Sequence, residues 1–418
     1  MLQQIEGSYA VAEAVAMCMP EVVAAYPITP QTHIVEHIGE LVKAGKVGSC
    51  EYINVDSEFS AMSACIGSSV MGARTYTATA SQGLLFMMEA VYNASGLGLP
   101  IVMTLGNRSI GAPINIWNDH TDALAARDSG WIQLFVETNQ QAVDVHIQAF
   151  KLAEAISLPV MVCMDGFVLT HAYERIDMPD KSQVESFLPP FVPKQKLDPD
   201  QPVSIGAMVG PEAFTEVRYL AHHKQLEALE IIDDIGEEFA ELFGRSSGGL
   251  VSCFDCGDAD TIVIAAGSVV GTIKSVIKDM RDEGHSIGVV SIRSMRPFPR
   301  FKLAKVLQKA KRVIVFEKAF SVGVGGVLAL DVQWALHNYS LPLYSVIGGL
   351  GGRSITRASL RKLFDKGLRD QLPQTHFLDL DIDAVNRELA RERSGDRSGP
   401  AAENIVRDLG VVSAAKTS

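Results

Sequence analysis

Three side chains that could bind a small anion follow short apolar segments of the sequence. Thr29 comes after VVAAYPI, Glu58 after YINVDS and Arg108 after IVMTLGN. A hydroxyl, a carboxylate and a guanidinium that converge at one edge of a sheet could bind and orient a small organic anion. The same residues allow a simpler interpretation, in which Glu58 and Arg108 only form an ion pair with each other.

The segment around Thr29 predicts a joint between a strand and a helix. Val22–Ala25 is an apolar run, and Pro27 and Pro30 stiffen the turn that follows it. Thr29 is typical of a helix N-cap, Pro30 of the first helical residue, and Gly45 of the position just past the helix end. A helix N-terminus beyond a strand of an open α/β sheet favours an anion. An ordinary strand-to-helix joint would have the same pattern.

The alternation of short apolar strands with small-residue helices predicts an α/β fold. The strands predicted in the first half are Val22–Ala25, Tyr52–Val55, Thr75–Thr79, Ile101–Leu105, Ile132–Val136 and Val160–Met164. The helices predicted between them include Phe59–Gly72, Gln82–Asn93 and Gln141–Ile156. This spacing is typical of a parallel sheet with helices on both faces. The three polar residues should then meet at its carboxyl edge.

Composition divides the chain into four predicted parts. Residues 1–186 form the first α/β domain. Residues 187–248 form a proline-rich linker and a helical connector, with the helix over Glu216–Phe243. Residues 249–383 carry four further β-α units, which predict a second, smaller α/β domain with a parallel sheet. Residues 384–418 are charged and interrupted by glycine, serine and proline, which predicts a solvated tail or an arm on a partner.

Bulk properties exclude several classes of protein. The chain has 418 residues, with 37 basic and 49 acidic side chains and a net charge of −12. This balance argues against a nucleic-acid binder or a protein of anionic membrane surfaces. The N-terminal apolar run contains Glu6, Glu13 and Glu21, so it does not resemble a signal peptide, and no other stretch suits a membrane span. Six scattered cysteines predict no disulfide framework, so we expect a reducing cytoplasm.

Three further motifs resemble known metal-, redox- or phosphate-binding motifs, but each lacks part of the required pattern. His33–His37 reads HIVEH, a zinc-peptidase pattern, but its helix must also bury apolar residues, and we expect no metal there. Cys253–Cys256 reads CFDC, which could be half a zinc site or a redox pair. Because no second pair exists, we expect two incidental thiols in a loop. The glycine-rich stretches Gly323–Val327 and Gly348–Ser354 lack the spacing of a phosphate-binding loop. We therefore expect their glycines to serve tight turns and close packing.

At the residues named above, the sequence resembles the alpha subunits of the 2-oxoacid:ferredoxin oxidoreductases, most closely the pyruvate type. The matching stretches are AAYPITPQT (Ala24–Thr32), VDSEFSAMSAC (Val55–Cys65), TATASQGLLFMMEA (Thr77–Ala90), LPIVMTLGNRSIGAPINIWNDHTDALAARDSGWIQ (Leu99–Gln133), SMRPFP (Ser294–Pro299) and GLGGRSIT (Gly349–Thr356). They follow the family order over about residues 5–370. The resemblance is weakest over Gly248–Gly257 and beyond Asp383.

The resemblance implies a thiamine-diphosphate-binding domain of the pyrimidine type, followed by a domain like the C-terminal domain of transketolase. It implies that a beta subunit supplies the diphosphate and Mg²⁺ site, and this chain has no GDG sequence for that purpose. Further implied partners are a gamma subunit, a ferredoxin-like delta subunit and ferredoxin. [4Fe–4S] clusters on partner subunits and coenzyme A as co-substrate complete the implied machinery.

The resemblance also implies roles for individual residues. Glu58 matches the glutamate that hydrogen-bonds N1′ of the aminopyrimidine in a dry pocket and shares a proton with it. Thr29 matches the threonine that binds the substrate carboxylate or carbonyl, and Arg108 matches the arginine that clamps this carboxylate. Pro27 and Ile28 join Thr29 and Glu58 as expected cofactor contacts. No metal ligand is expected in this chain.

The implied reaction is the reversible oxidative decarboxylation of a 2-oxoacid to acyl-CoA and CO₂, with electrons passed to ferredoxin. Thr29 favours pyruvate, because an arginine at this position would suit a second carboxylate. Several alternatives remain open at this stage. They are another 2-oxoacid (2-oxoglutarate, a branched-chain acid or an aryl acid such as phenylglyoxylate), NAD as acceptor, a thiamine enzyme without electron transfer, and a non-catalytic scaffold subunit with a thiamine-enzyme fold.

Overall fold

The computed structural model describes residues 1–339, 341–395 and 399–411. The strands are β1 (Leu2–Glu6), β2 (Val22–Ala25), β3 (Glu51–Asn54), β4 (Thr75–Thr79), β5 (Ile101–Asn107), β6 (Ile132–Phe135), β7 (Val160–Asp165), β8 (Tyr173–Asp177), β9 (Val251–Phe254), β10 (Thr261–Ala265), β11 (Ile287–Ile292), β12 (Ser294–Arg296), β13 (Arg312–Glu317), β14 (Leu343–Ile347) and β15 (Thr375–Phe377).

The α-helices alternate with these strands along most of the described chain. They are α1 (Gly7–Met17), α2 (Thr32–Lys43), α3 (Glu58–Val70), α4 (Ser81–Phe86), α5 (Met88–Gly96), α6 (Thr121–Ala125), α7 (Asn139–Ile156), α8 (Lys181–Phe187), α9 (Phe214–Phe243), α10 (Val269–Asp282), α11 (Arg300–Leu307), α12 (Val327–Ala335), α13 (Arg357–Leu368), α14 (Ile382–Ser394) and α15 (Ala401–Asp408). None of the helices in the described ranges has both the length and the apolar character needed to cross a membrane.

Seven strands form the first sheet in the order β12-β6-β7-β5-β4-β2-β3. The pairs β2–β3, β2–β4, β4–β5, β5–β7 and β6–β7 are all parallel. Every residue of β4, β5 and β7 is buried, as expected for strands covered on both faces. The predicted α/β fold with a parallel sheet is confirmed. The short strand β12 was not predicted, and it pairs antiparallel with β6.

The order of the central strands brings the carboxyl ends of β5, β4, β2 and β3 together as neighbours. Ala25 lies opposite Asn54 in the β2–β3 pair, and Thr79 lies opposite Leu105 in the β4–β5 pair. The segments that carry Thr29, Glu58 and Arg108 therefore leave the sheet at one edge, from three of these four neighbouring strands.

The start of helix α2 differs from the prediction that Thr29 is its N-cap and Pro30 its first residue. The helix begins at Thr32, and Gln31 is the N-cap. The Gln31 N–H donates to the Ile28 carbonyl at 2.9 Å, which closes a turn, while the Thr29 carbonyl accepts from Arg108 instead of from the helix. The end of the helix is as predicted, because Gly45 follows it with φ +71°.

The second sheet has six strands in the order β15-β14-β13-β10-β11-β9. Five of them are parallel neighbours, as predicted, and β9 is antiparallel to β11. The prediction of a loop at Cys253 was wrong, since Cys253 lies in β9. Helices α10 and α13 cover one face, whereas residues of α11 and α12 share a hydrophobic cluster with the first sheet and its helices.

The segments outside the two sheets pack more closely than their composition suggested. Helix α9 buries Ile232, Ile235 and Phe239 in the core that lies against α1, α2 and α7. The predicted boundaries at residues 186, 248 and 383 remain a prediction, because the two sheets share a core.

The charged end of the chain was predicted as a solvated tail or an arm on a partner, which stays a prediction; most of its described part is helical. Helices α14 and α15 occupy Ile382–Ser394 and Ala401–Asp408, while residues 396–398 and 412–418 lie outside the described residues. Arg391 donates to Asp408 at 2.7 Å, and the buried Asn404 donates to Glu388 at 3.2 Å. The charges that suggested solvation therefore join one helix to the other.

Candidate active site

Arg108 and Thr29 meet at the carboxyl edge of the first sheet. Arg108 is 7% exposed, and its Nη1 donates to the Thr29 carbonyl at 2.9 Å while its Nε donates to the Asn115 carbonyl at 2.8 Å. Burial lowers the pKa of the guanidinium from its ordinary value, and Asp122 opposes part of this effect. A guanidinium has five N–H donors, so three remain for a ligand. The Thr29 side chain is exposed beside them.

Asp122 holds the backbone of this edge in place, although sequence reasoning did not single it out. The carboxylate is completely buried and accepts from the backbone N–H of Arg108 at 2.9 Å, the N–H of Ser81 at 3.0 Å and the Asn107 side chain at 2.9 Å. Burial raises the pKa of Asp122 to about 7. Ser81 has φ +47°, a strained conformation for a residue with a side chain. Asp122 thus ties the end of β5 to the first turn of α4.

Glu58 lies at the start of helix α3 in a narrow buried space. Its neighbour Ser57 caps the helix by accepting from the Ser60 N–H at 3.2 Å. Glu58 is 7% exposed, and no hydrogen bond joins its carboxylate to another described group. A Cβ added at Gly83 would lie 2.6 Å from Glu58 Oε1 and 2.5 Å from Thr79 Oγ1. The glycine therefore keeps open the space beside both oxygens.

The environment of Glu58 suits a flat heterocycle that offers a hydrogen-bond donor. The Thr79 hydroxyl is also buried without a hydrogen-bond partner. The nearly buried Glu58 carboxylate and the Thr79 hydroxyl are therefore both available to a polar group bound beside Gly83. These residues fit the aminopyrimidine of thiamine diphosphate, which has a ring nitrogen and an amino group.

The structure brings Thr29 and Arg108 into direct contact and places Glu58 separately, after β3, which two strands separate from the β5 strand that precedes Arg108. Among the described ion pairs, none joins Glu58 to Arg108, so the simple pairing considered for the sequence is not formed. Pro27 is exposed and Ile28 is partly exposed on the turn between β2 and α2. Both face the space beyond the carboxyl edge, where a ligand of the sheet would lie.

Large apolar side chains surround this edge and remain exposed. They are Tyr26 beside the turn, Phe59 next to Glu58, Phe86 at the end of α4, and Ile114 and Trp117 in the segment after β5. Phe86 is 60% exposed and Ile114 is 82% exposed. A concentration of exposed apolar residues around a polar recess is typical of a surface that another protein covers.

A buried ionic cluster joins the two sheets next to this edge. Asp165, at the end of β7, accepts from Lys318 at 3.1 Å, lies 2.7 Å from His120 Nε2 and accepts from the Ser268 N–H at 3.0 Å. Burial alone would raise the pKa of Asp165, but Lys318 and His120 hold it well below its ordinary value. Sequence reasoning missed this cluster, because its members come from distant segments and no local motif connects them.

The HIVEH motif and the glycine-rich stretch Gly348–Ser354 both contact other segments of the fold. In HIVEH, His33 Nδ1 lies 2.6 Å from Glu6, and His37 Nδ1 lies 3.0 Å from Glu40. The glycine-rich stretch Gly348–Ser354 contacts the segment after β5, because Gly351 accepts from the Asn115 side chain at 3.2 Å. Gly349, Gly351 and Gly352 all have positive φ, which this tight turn requires.

Comparison with known proteins places the chain in a family. The model of the pyruvate flavodoxin/ferredoxin oxidoreductase thiamine diphosphate-binding domain matches residues 13–237, and that of the pyruvate:ferredoxin oxidoreductase core domain II matches residues 259–360. Pyruvate synthase subunit PorA of Methanosarcina barkeri is 47% identical over 87% of this chain and 91% of the relative. Ketoisovalerate oxidoreductase subunit VorA of Pyrococcus abyssi is 40% identical over 86% and 91%.

Solved structures share the fold at much lower sequence identity. The 2-oxoglutarate:ferredoxin oxidoreductase of Magnetococcus marinus matches with a TM-score of 0.67 and 18% identity, over 88% of this chain and 65% of that one. A split-gene transketolase matches with a TM-score of 0.53 and 14% identity, over 88% of this chain and 99% of that one. With a family match over more than half of its length, the chain belongs to the 2-oxoacid:ferredoxin oxidoreductase family, as its sequence predicted, and is a subunit of an oxidoreductase.

Proposed function

We propose that this chain is the alpha subunit of a pyruvate:ferredoxin oxidoreductase and contributes the aminopyrimidine half of a shared thiamine diphosphate site. The observation that carries this proposal is the Glu58 carboxylate, which is 7% exposed and takes part in no described hydrogen bond, beside Gly83 and the buried, unpartnered Thr79 hydroxyl. When bound, thiamine diphosphate supplies the electron sink for loss of CO₂ from a 2-oxoacid.

Each residue of the site has a distinct task in this proposal. The nearly buried Glu58 would accept a hydrogen bond from the ring nitrogen N1′ and hold the shared proton there. Arg108 binds the substrate carboxylate through its free N–H donors, and the Thr29 hydroxyl orients the same group. Asp122 is a positioning residue, since it fixes the backbone of Arg108 and does not touch substrate.

Partner subunits complete the proposed enzyme. The exposed apolar residues around the site support a beta subunit that covers this edge and supplies the diphosphate and Mg²⁺ site. Gamma and ferredoxin-like delta subunits, [4Fe–4S] clusters, coenzyme A and ferredoxin belong to the same proposal. The acyl group passes to coenzyme A, and the two electrons leave through the clusters to ferredoxin.

Pyruvate is the proposed substrate because a PorA relative is more similar to this chain than the VorA relative, at 47% against 40% identity. The exposed hydroxyl of Thr29 also offers no cation for a second carboxylate. The test is a substrate panel on the purified complex with coenzyme A and ferredoxin, comparing pyruvate, 2-oxoisovalerate, 2-oxoglutarate and phenylglyoxylate. We expect the highest kcat/KM for pyruvate. A higher value for another acid would reassign the substrate within the family, and turnover by a complex without iron–sulfur absorbance would contradict the electron-transfer step.

A further inference from the structure

Cys253 and Cys256, at the end of β9, lie side by side at the edge of the second sheet. Asp255 has φ +54°, so the chain reverses after Phe254 and returns Cys256 to the side of Cys253. Cys256 Sγ donates to the Val289 carbonyl at 3.2 Å on the neighbouring strand, and the two thiols are close enough for each to shift the pKa of the other. Cys253 is exposed, whereas the other four cysteines are buried and separate from one another along the chain. This pair is thus the accessible thiol group of the described chain.

The turn between the two cysteines is fixed by groups other than the thiols. Arg281 donates to the Asp255 carbonyl at 2.6 Å and to the Asp258 carboxylate at 2.8 Å. On the neighbouring strand, a Cβ added at Gly288 would lie 2.3 Å from the Asp255 oxygen and 3.1 Å from Cys256 Cα. The fold therefore holds the pair in position and leaves room for the turn.

The two thiols have different surroundings, which give them different reactivity. The neighbouring Cys256 thiol, aided by Lys302 and Arg293, lowers the pKa of Cys253 to about 7 against the opposing effect of burial. The neighbouring Cys253 thiol and burial raise the pKa of Cys256. An exposed thiol whose pKa lies near ambient pH is a good attacking group, and a neighbouring thiol can resolve the product.

We propose that Cys253 and Cys256 form a redox-active dithiol that exchanges reversibly with an external disulfide. The Cys253 thiolate attacks one sulfur of that disulfide and expels the other as a thiolate, which takes up a proton. Cys256 gives up its proton and attacks Cys253 Sγ in the mixed disulfide, which releases the second external thiol. Two electrons and two protons thus pass from the pair to the external disulfide, and one Cys253–Cys256 disulfide forms.

The test uses the assembled complex in anaerobic mixtures of reduced and oxidised glutathione, followed by acid quenching, alkylation and mass spectrometry. Cleavage after Arg245 and Lys274 yields a peptide with no other cysteine. We expect this peptide to change from dithiol to disulfide as the mixture becomes more oxidising, and to return on reduction. A peptide that stays a dithiol in the most oxidising mixture, or one whose thiols hold a stoichiometric metal ion, would overturn the proposal.

Single substitutions separate the two roles. With Cys256→Ser, we expect Cys253 to stop at the mixed disulfide with glutathione, and the midpoint of its alkylation against pH to move upward from about 7. With Cys253→Ser, neither species should form. Cys50→Ser serves as the control, because burial raises the pKa of Cys50 to about 11 and its loss should leave the peptide unchanged. Equal alkylation of Cys253 and Cys50 at neutral pH would contradict the assigned reactivity.

Discussion

The carboxyl edges of the two parallel sheets are used in opposite ways. In the first sheet, this edge carries Thr29, Glu58 and Arg108 and opens to the surface through exposed apolar residues. In the second sheet, it is covered by the first: Ser268 follows β10 and donates to Asp165, and Lys318 follows β13 and pairs with the same carboxylate. One edge is available for a ligand, and the other is occupied by the joint between the sheets.

The comparison shows that strand and helix patterns alone do not locate a site. Both halves have the alternation of parallel strands and helices whose carboxyl edge binds ligands in open α/β sheets. The difference lies in the polar residues that follow the strands. In the first sheet, the Glu58 carboxylate is left without a partner. In the second, Lys318 and Ser268 are both hydrogen-bonded to Asp165 of the first sheet.

The largest expected effect is that of Glu58→Gln. The amide cannot share a proton with a ring nitrogen, so turnover of the assembled complex should fall about 10³-fold. The fold should not change, because the substitution preserves shape. The exposed Glu51→Gln, in the neighbouring strand β3, is the matched control and should keep full activity. Near wild-type turnover of Glu58→Gln would instead support a non-catalytic subunit.

Lys318→Met tests the closed edge, where we expect an effect on stability. Removing Lys318 leaves the buried Asp165 with His120 and Ser268 as partners but without its lysine, which should lower the free energy of unfolding by about 3 kcal/mol at pH 7. The pKa of Asp165 is depressed in the folded state. The stabilisation of the wild type by the charged Asp165 is therefore fully present above the unfolded carboxyl pKa of about 3.9, and it is lost progressively as the pH falls below this value. Urea unfolding at pH 7 and pH 3 should therefore show a smaller difference between the proteins at pH 3.

A control for this stability measurement is Lys311→Met, which removes an exposed ion pair with Asp260. Its cost should stay below about 1 kcal/mol. If both lysine variants lose the same stability, the cluster at Asp165 is no stronger than a surface pair, and the contrast between the two edges fails.

Arg108→Ala should raise the KM for pyruvate about 10- to 100-fold, since a hydrogen bond to a charged group contributes roughly 1.5–3 kcal/mol. The affinity for thiamine diphosphate should stay within about twofold of the wild-type value. Arg127→Ala is the control, because Arg127 donates only to the nearby Leu124 carbonyl among the described residues. An equal loss of substrate and cofactor affinity would indicate that Arg108 has a structural role at the turn.

The smallest expected effect is that of Gly83→Ala. The added methyl group would collide with Glu58 Oε1 and Thr79 Oγ1, so the affinity for thiamine diphosphate should fall about tenfold. Gly271→Ala, in helix α10, meets no atom within 4 Å and should leave this affinity unchanged. Unchanged cofactor affinity in Gly83→Ala would place the cofactor outside the space beside Glu58.

Much of the fold was predictable because its signals are local. Apolar runs such as Thr75–Thr79 and Thr261–Ala265 became buried parallel strands, and Glu58 opens a helix as its position after YINVDS suggested. The three candidate site residues lie at the same edge of the sheet because parallel connections return every carboxyl end to that edge.

What the sequence did not predict depends on contacts between distant segments. The Thr29 carbonyl accepts a hydrogen bond from Arg108 and not from helix α2, and the helix N-cap is Gln31 instead of the predicted Thr29. Asp122 lies inside a short helix, and its three partners come from two other segments. Such side-chain contacts form only after the strands are in order, and no spacing in the sequence encodes them.

The most direct test of the proposed site is the exchange of the C2 proton of bound thiamine diphosphate with deuterated solvent. It is measured in the assembled complex without substrate, by acid quenching and NMR. If Glu58 shares a proton with the aminopyrimidine, exchange in the wild type should be at least about 10²-fold faster than in Glu58→Gln. Equal exchange rates in the two complexes would contradict the assignment of Glu58 and of this edge as the cofactor site.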